Sequence, residues 1–213
     1  MKQKPFLLKL LPGASIDALT ACANELRAII LESGGNDFSL WQAEDMIFGY
    51  FESEDENIPC AAGTTLRKFI DEKLGDTVLV LAMQNMRLMY DVVNRPAEDK
   101  SKVVSHRVFI TRLKPGCLPE YYRLHQGLLT ERRNAIADGT LDPAKEPSSN
   151  FTIWNAGDYI CGYNEMTELP ASDDTNTGGN EAWERHMLTL MDWLTDDADV
   201  FSGEAHEKIR RLI

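Results

Sequence analysis

Apolar and polar positions alternate over Arg107–Leu113, with Val108 and Ile110 on one side and Phe109 and Leu113 on the other. That period of two predicts a half-buried strand. Lys114-Pro115-Gly116 then turns the chain, and a helix starts near Pro119, a residue tolerated in a first turn. From there Tyr121 and His125 stand four apart and share one helical face, which continues through Leu128 and Leu129 and so points at a sheet. The chain opens in the same way. Residues 5–11 form an apolar strand, Pro12-Gly13 turns, and Ser15 is placed to cap a helix. Leu19, Cys22, Leu26, Ile29 and Ile30 follow at helical spacing, and Gly34-Gly35 stops the run. Phe38–Trp41 and Met46–Phe51 read as two strands joined at 42–45, and a helix is predicted around Thr65–Lys73. The apolar run 77–82 is ambiguous, Met86–Val93 reads as the last strand of this half, and 94–100 is polar.

The second half repeats this order. Phe6 and Phe109 are separated by the same interval as Pro12-Gly13 and Pro115-Gly116. Phe38, Trp41, Asp45 and Gly49-Tyr50 recur as Phe151, Trp154, Asp158 and Gly162-Tyr163 at a longer interval, and one surface insertion around 138–143 takes up the difference. The pattern predicts duplication of a β-α-β-β-α-β unit, the ferredoxin-like split βαβ. The expected fold is α+β. Two ferredoxin-like repeats, 1–94 and 105–213 joined by a linker at 95–104, pack bare sheet to bare sheet as a dimeric α+β barrel within one chain. Positions matching Tyr121 and His125 in the first repeat are Ala18 and Cys22, so any acid/base site belongs to the second. Residues 167–180 are a polar excursion that reads as a surface loop rather than a lid. Trp183, Met187, Leu190, Met191 and Leu194 then read as one helical stripe.

Composition narrows the partners. A chain of 213 residues that is 43% hydrophobic has room for one large domain or two small ones. A net charge of −12 disfavours polyanionic nucleic acid and anionic membrane surfaces. No run is long enough for a membrane span, and Lys9, Pro12 and Asp17 interrupt any signal-peptide core. Cys22, Cys60, Cys117 and Cys161 are widely spaced and read as reduced thiols, which with the rest predicts a soluble cytoplasmic protein.

Chemistry-bearing motifs are sparse. There is no phosphate-binding glycine loop, no nucleophile elbow, and no histidine or cysteine pair at metal-ligand spacing, so neither metal nor cofactor is expected. The acidic run Asp192, Asp196, Asp197 and Asp199 reads as a solvated helix end. His125 stands out as a polar residue on an inward face. It is either a core histidine satisfied by Tyr121 or a backbone carbonyl, or an acid/base group lining a pocket.

At these residues the sequence resembles the L-rhamnose mutarotases, dimeric α+β barrel proteins that interconvert the anomers of a free sugar. Arg107-x-Phe109, Pro115 and Glu120-Tyr121-x-Arg123-x-His125 match the opening strand and helix of that family without a gap. Asn150-Phe151-x-Ile153 falls on its second strand, and Asp192-Trp193-Leu194-Thr195-Asp196 is similar to a segment of its second helix. The resemblance implies that His125 is the proton donor, that Tyr121 contacts sugar, and that Phe151 holds a binding position where the family carries tyrosine. Leu190-Met191 stands where the family stacks a tryptophan pair on the sugar, and Leu129-Thr130 replaces a tryptophan-proline.

The function expected is therefore a carbohydrate mutarotase-like isomerase acting on a small free sugar, a 6-deoxyhexose such as L-rhamnose first, with no nucleic-acid or membrane partner. The molecule is expected to be a monomeric pseudo-dimer or a homodimer. Loss of the tryptophan pair favours the alternative of a non-catalytic sugar- or small-molecule-binding module. A heme- or quinone-handling monooxygenase on the same barrel is a third reading.

Overall fold

A computed structural model describes residues 1–54, 59–60, 64–83, 85–94, 100–146, 149–167, 177–193 and 209–213. The chain is α+β, with two antiparallel five-stranded sheets, a two-stranded ladder and four α-helices among the described residues. It divides into two compact units, Met1–Met86 with Ile209–Ile213, and Arg87–Lys208.

The first unit contains β1 (Lys2–Leu10), α1 (Ile16–Glu32), β2 (Asn36–Ala43), β3 (Met46–Ser53), β4 (Pro59–Cys60), β5 (Thr64–Thr65), α2 (Leu66–Leu74) and β6 (Val78–Met83). The second contains β7 (Arg87–Asn94), β8 (Ser105–Leu113), α3 (Leu118–Ala137), β9 (Ser149–Ala156), β10 (Tyr159–Met166), α4 (Thr177–Leu190) and β11 (Met191–Trp193). A last short strand, β12 (Arg210–Arg211), returns to the first sheet. The sheet orders are β12-β2-β3-β1-β6 and β7-β9-β10-β8-β11.

Each unit is built by the same local rules. In the first, Ser15 caps α1 by accepting from the backbone N–H of Ala18 at 3.2 Å, and Gly34, at φ +77°, lets the chain leave the helix. Leu19, Cys22, Ala23, Leu26 and Ile30 make the buried stripe of α1, in one core with Phe6, Leu8, Leu40 and Ile70. Burying each large aliphatic side chain contributes roughly 1.5–3 kcal/mol. In the second unit α3 has no side-chain cap, and Pro119 stands in its first turn, where a missing N–H costs nothing. Its buried stripe is Tyr121, His125 and Leu129.

Matched positions carry matched devices. The Phe6 ring lies over Gly49, where an added Cβ would come within 2.0 Å of it; Phe109 lies over Gly162 at the same 2.0 Å. Tyr50 donates to Glu52, and Tyr163 to Glu165, each at 3.0 Å. The Leu10 N–H donates to the carbonyl of Asp45, and that of Leu113 to Asp158, each at 2.7 Å.

Three expectations are corrected by the pairing. The strand at Met86–Val93 exists as β7, but it hydrogen-bonds to β9 rather than to the first sheet. The boundary between units accordingly falls at Met86 and not in the polar segment; within 95–104, residues 95–99 lie outside the described residues and Lys100–Lys102 forms one 3-10 turn. The stripe through Met191 is not one helix. It ends at Leu190, and Met191 opens β11, which pairs with β8 and is held there by Thr111 Oγ1 donating to the Asp192 carbonyl at 2.7 Å. The ambiguous run at 77–82 is β6, and most of the polar excursion (168–176), with Leu194 and the acidic residues from Asp196 onward, lies outside the described residues. No helix among the described residues is long and apolar enough to cross a membrane.

Candidate active site

The second unit holds a cleft of about 180 Å³ on the helix-covered side of its sheet. At about 30 Å³ per water, that is room for about six waters or one small ring. Tyr121, His125 and Leu128 reach it from α3, Arg107 and Phe109 from β8, and Phe151 and Ile153 from β9. Tyr90 comes from β7, Trp183 and Met187 from α4, and Met191 from β11.

His125 is 5% exposed. Its Nδ1 lies 2.9 Å from the backbone carbonyl of Tyr121, one turn back. A carbonyl only accepts, so Nδ1 carries the proton and Nε2 is left as the basic nitrogen of a ring that lines the cleft. Three aromatic rings hold the imidazole in place. Tyr121 stacks on it at 4.1 Å between centroids, and Trp183 and Tyr90 meet it edge-on at 5.3 and 5.7 Å. Burial pushes the imidazole below its ordinary value of 6.5, against the opposing pull of the Tyr121 carbonyl. Desolvation wins, and the ring is neutral near pH 7.

Tyr90 belongs to the site because β7 lies beside β9. Gln126 on α3 donates to the Met89 carbonyl at 2.8 Å and ties the helix to that strand. The Tyr90 ring packs edge-on against Phe151, with centroids 5.8 Å apart. Burial lifts its phenol above the ordinary value of 10; the charge of Arg132 opposes this and that of Glu146 adds to it. Tyr90 therefore enters the cleft as a hydroxyl donor rather than a phenolate. Arg132 on α3 makes a two-pronged ion pair with Glu146, which follows the insertion absent from the first unit. That pair raises the Arg132 pKa and lowers that of Glu146.

All three residues singled out in the sequence, Tyr121, His125 and Phe151, line this one cleft. Of the pair aligned with the sugar-stacking tryptophans, Met191 lines it, and Leu190 is buried in the adjoining core. Sequence reasoning missed Tyr90, Arg107 and Trp183. Arg107 was detectable, since it shares a face of β8 with Phe109; Trp183 was detectable as the residue one turn before Met187. Nothing local marked Tyr90. Cys22, at the first-unit position matching His125, sits in an aliphatic core with its thiol pushed up to about 11 by burial and, less strongly, by Glu25. Cys22, Cys117 and Cys161 are free thiols, and burial raises Cys161 as well.

No protein-family model, no curated protein and no solved structure matches the chain.

Proposed function

We propose that the protein is a mutarotase-like isomerase that interconverts the anomers of a free sugar in the cleft of its second unit. The observation that carries this reading is the neutral, tautomer-fixed imidazole of His125 lining a cleft of one-ring size. Mutarotation needs little else. His125 Nε2 takes the proton of the anomeric hydroxyl as the bond between the anomeric carbon and the ring oxygen breaks, and the ring oxygen takes a proton from a hydroxyl or water beside it. Tyr90 is a protonated phenol in the same cleft and is the donor we assign to that step. Rotation of the open-chain aldehyde and closure on its other face, with the protons returned, complete the exchange. General acid–base help of this kind is worth about 10²–10⁴-fold, and no oxidant, metal or cofactor enters the balance.

The fold side of the proposal is that each unit is a ferredoxin-like repeat and that the two form an intramolecular α+β barrel. The first sheet reads β2-β3-β1-β6 and the second β9-β10-β8-β11 before the added edge strand, the same order in both. A second reading, a binding module without turnover, is favoured by Met191 and Met187 lining the cleft, where a catalyst of sugars would place stacking rings or hydrogen-bonding groups. Exchange NMR on a panel of hexoses, 6-deoxyhexoses and hexuronates separates the two. Wild-type protein should accelerate anomer exchange of at least one, and His125→Ala should not. Binding without acceleration of any sugar refutes the enzyme and leaves the module.

A further inference from the structure

Tyr90 reaches the cleft through an irregularity of its own strand. Leu88 pairs with Trp154 and Tyr90 with Ile153, so β7 takes two steps where β9 takes one. Met89 is the extra residue of a β-bulge. Successive residues of a regular strand point to opposite faces of the sheet. Here Met89 and Tyr90 lie on the same face: Met89 is fully buried in one core with Tyr121 and Ile153, and Tyr90 lines the cleft beside them. A strand running regularly from Leu88 would set Met89 against Ile153 and Tyr90 against Thr152, on the face away from His125.

A bulge takes a peptide out of the regular ladder, and a part-buried carbonyl at that point needs a donor from elsewhere. Gln126 supplies one, its Nε2 donating to the Met89 carbonyl at 2.8 Å. It directly follows His125 on α3, so the tie to the bulge starts from the residue next to the imidazole. A second grip lies one turn earlier. Tyr122 shares a helical face with Gln126, and the Arg87 guanidinium carbon stands 3.9 Å from its ring centre. The helix thus holds β7 at the bulge and again two residues before it. Just beyond these grips the Tyr90 ring meets His125 edge-on at 5.7 Å and Phe151 at 5.8 Å. Gln126 itself stands outside the lining of the cleft.

We infer that Gln126 is a positioning residue: by holding the bulge at Met89 it sets the strand register that turns Tyr90 toward His125. Withdrawing its donor lets β7 relax toward the regular register, which carries the Tyr90 ring to the other face of the sheet. The inference rests on the anomer-exchange reading for the use made of Tyr90, whose phenol is the proton donor assigned there. The placement of the ring is a separate matter and is measured separately.

With tyrosine and histidine rings selectively labelled, the nuclear Overhauser contact between Tyr90 and His125 is identified by its loss in Tyr90→Phe. Gln126→Met removes the donor at similar length. Gln126→Glu, at pH 8, replaces it with a carboxylate that only accepts, and Gln126→Lys keeps a donor. The contact should vanish in the first two and persist in the third. Gln126 is half-buried, so these changes spare the core, and Gln126→Glu decides should Gln126→Met fail to fold. On a sugar that wild type exchanges, Tyr90→Phe should lower kcat about 10²-fold with KM little changed, the low end of acid–base help. Gln126→Met should lower it by a similar factor, and the double variant no further than either single one. A ring contact that survives without the donor, one that is lost in Gln126→Lys, or losses that multiply in the double variant would each overturn the inference and leave the mutarotase reading standing. If wild type exchanges no sugar, that reading fails and the ring contact alone decides: its loss without the donor and its retention in Gln126→Lys uphold the role of Gln126.

Discussion

Cys22 and His125 hold the same place in two matched helices, four residues after Ala18 and Tyr121, and they are almost equally buried, at 7% and 5% exposure. Depth is therefore not what separates a site from a core. The thiol is surrounded by Leu19, Leu26 and their aliphatic neighbours, which fill the space and raise its pKa to about 11, so it is a small apolar filler. The imidazole is ringed instead by Tyr121, which stacks on it, and by Tyr90 and Trp183, which meet it edge-on, and these flat groups leave a cleft beside it. Around this difference the frames agree, down to a phenylalanine lying on a glycine in each sheet and a tyrosine donating to a glutamate two residues on. Shared backbone devices recur in both units, and a few side chains on one helix and its neighbours shape the cleft of the second.

The hardest test of that contrast is to remove each member of the pair. His125→Ala should abolish catalysed anomer exchange, a loss of about 10²–10⁴-fold, whereas Cys22→Ala should leave the rate of exchange untouched; a Cys22 variant that loses exchange with its fold intact breaks the assignment of one active unit. Next in size are the devices the units share. Gly49→Ala and Gly162→Ala each drive a Cβ into a buried ring, an overpacking that should cost about 1–3 kcal/mol in urea unfolding, with similar values for the two. If one is neutral, the frames are less alike than their geometry suggests. Glu146→Gln removes the ion pair that Arg132 makes in the second unit. Its partners are 19% and 32% exposed on their side chains, so after solvent screening the loss should be at most about 1 kcal/mol, seen as a small fall in Tm. The smallest effect is the acid limb of stability. A histidine whose folded pKa lies below 6.5 binds its proton more readily when unfolded, so its contribution is full above pH 6.5 and falls as pH drops through that value toward the folded pKa. His125→Asn should flatten that limb, and Cys22→Ser should not.

Much of this architecture was legible because its signals are local. Phe6, Pro12-Gly13, Phe38 and Trp41 recur in order as Phe109, Pro115-Gly116, Phe151 and Trp154, and each marks a turn or strand within a few residues of itself. Tyr121 and His125 were legible because a helix places residues four apart on one face. Tyr90 was not. Alternation along Arg87–Asn94 announces a strand but carries nothing about which sheet it joins, since pairing partners are chosen by contacts far away in sequence. Met191 misled for a related reason. An apolar residue at helical spacing after Leu190 fits a continuing helix as well as a three-residue strand, and the tie that decided it, Thr111 to the Asp192 carbonyl, spans 81 positions.

The return of Arg210–Arg211 to β2 sets a condition on how the protein is made. Arg210 pairs with Gln42, 168 positions earlier, and the N–H of Leu212 donates to the Leu40 carbonyl at 2.8 Å. A ribosome adding roughly 5–20 residues per second needs on the order of 10 s to cover that distance. For that interval the outer edge of β2 is an unpaired row of N–H and C=O groups carrying Leu40 and Trp41, the kind of edge that other nascent chains add to. Proteins with slow codons or a stall between these segments should therefore yield more aggregate than native chain, and a chaperone that shields strand edges should recover it, although neither change alters a single contact of the finished fold.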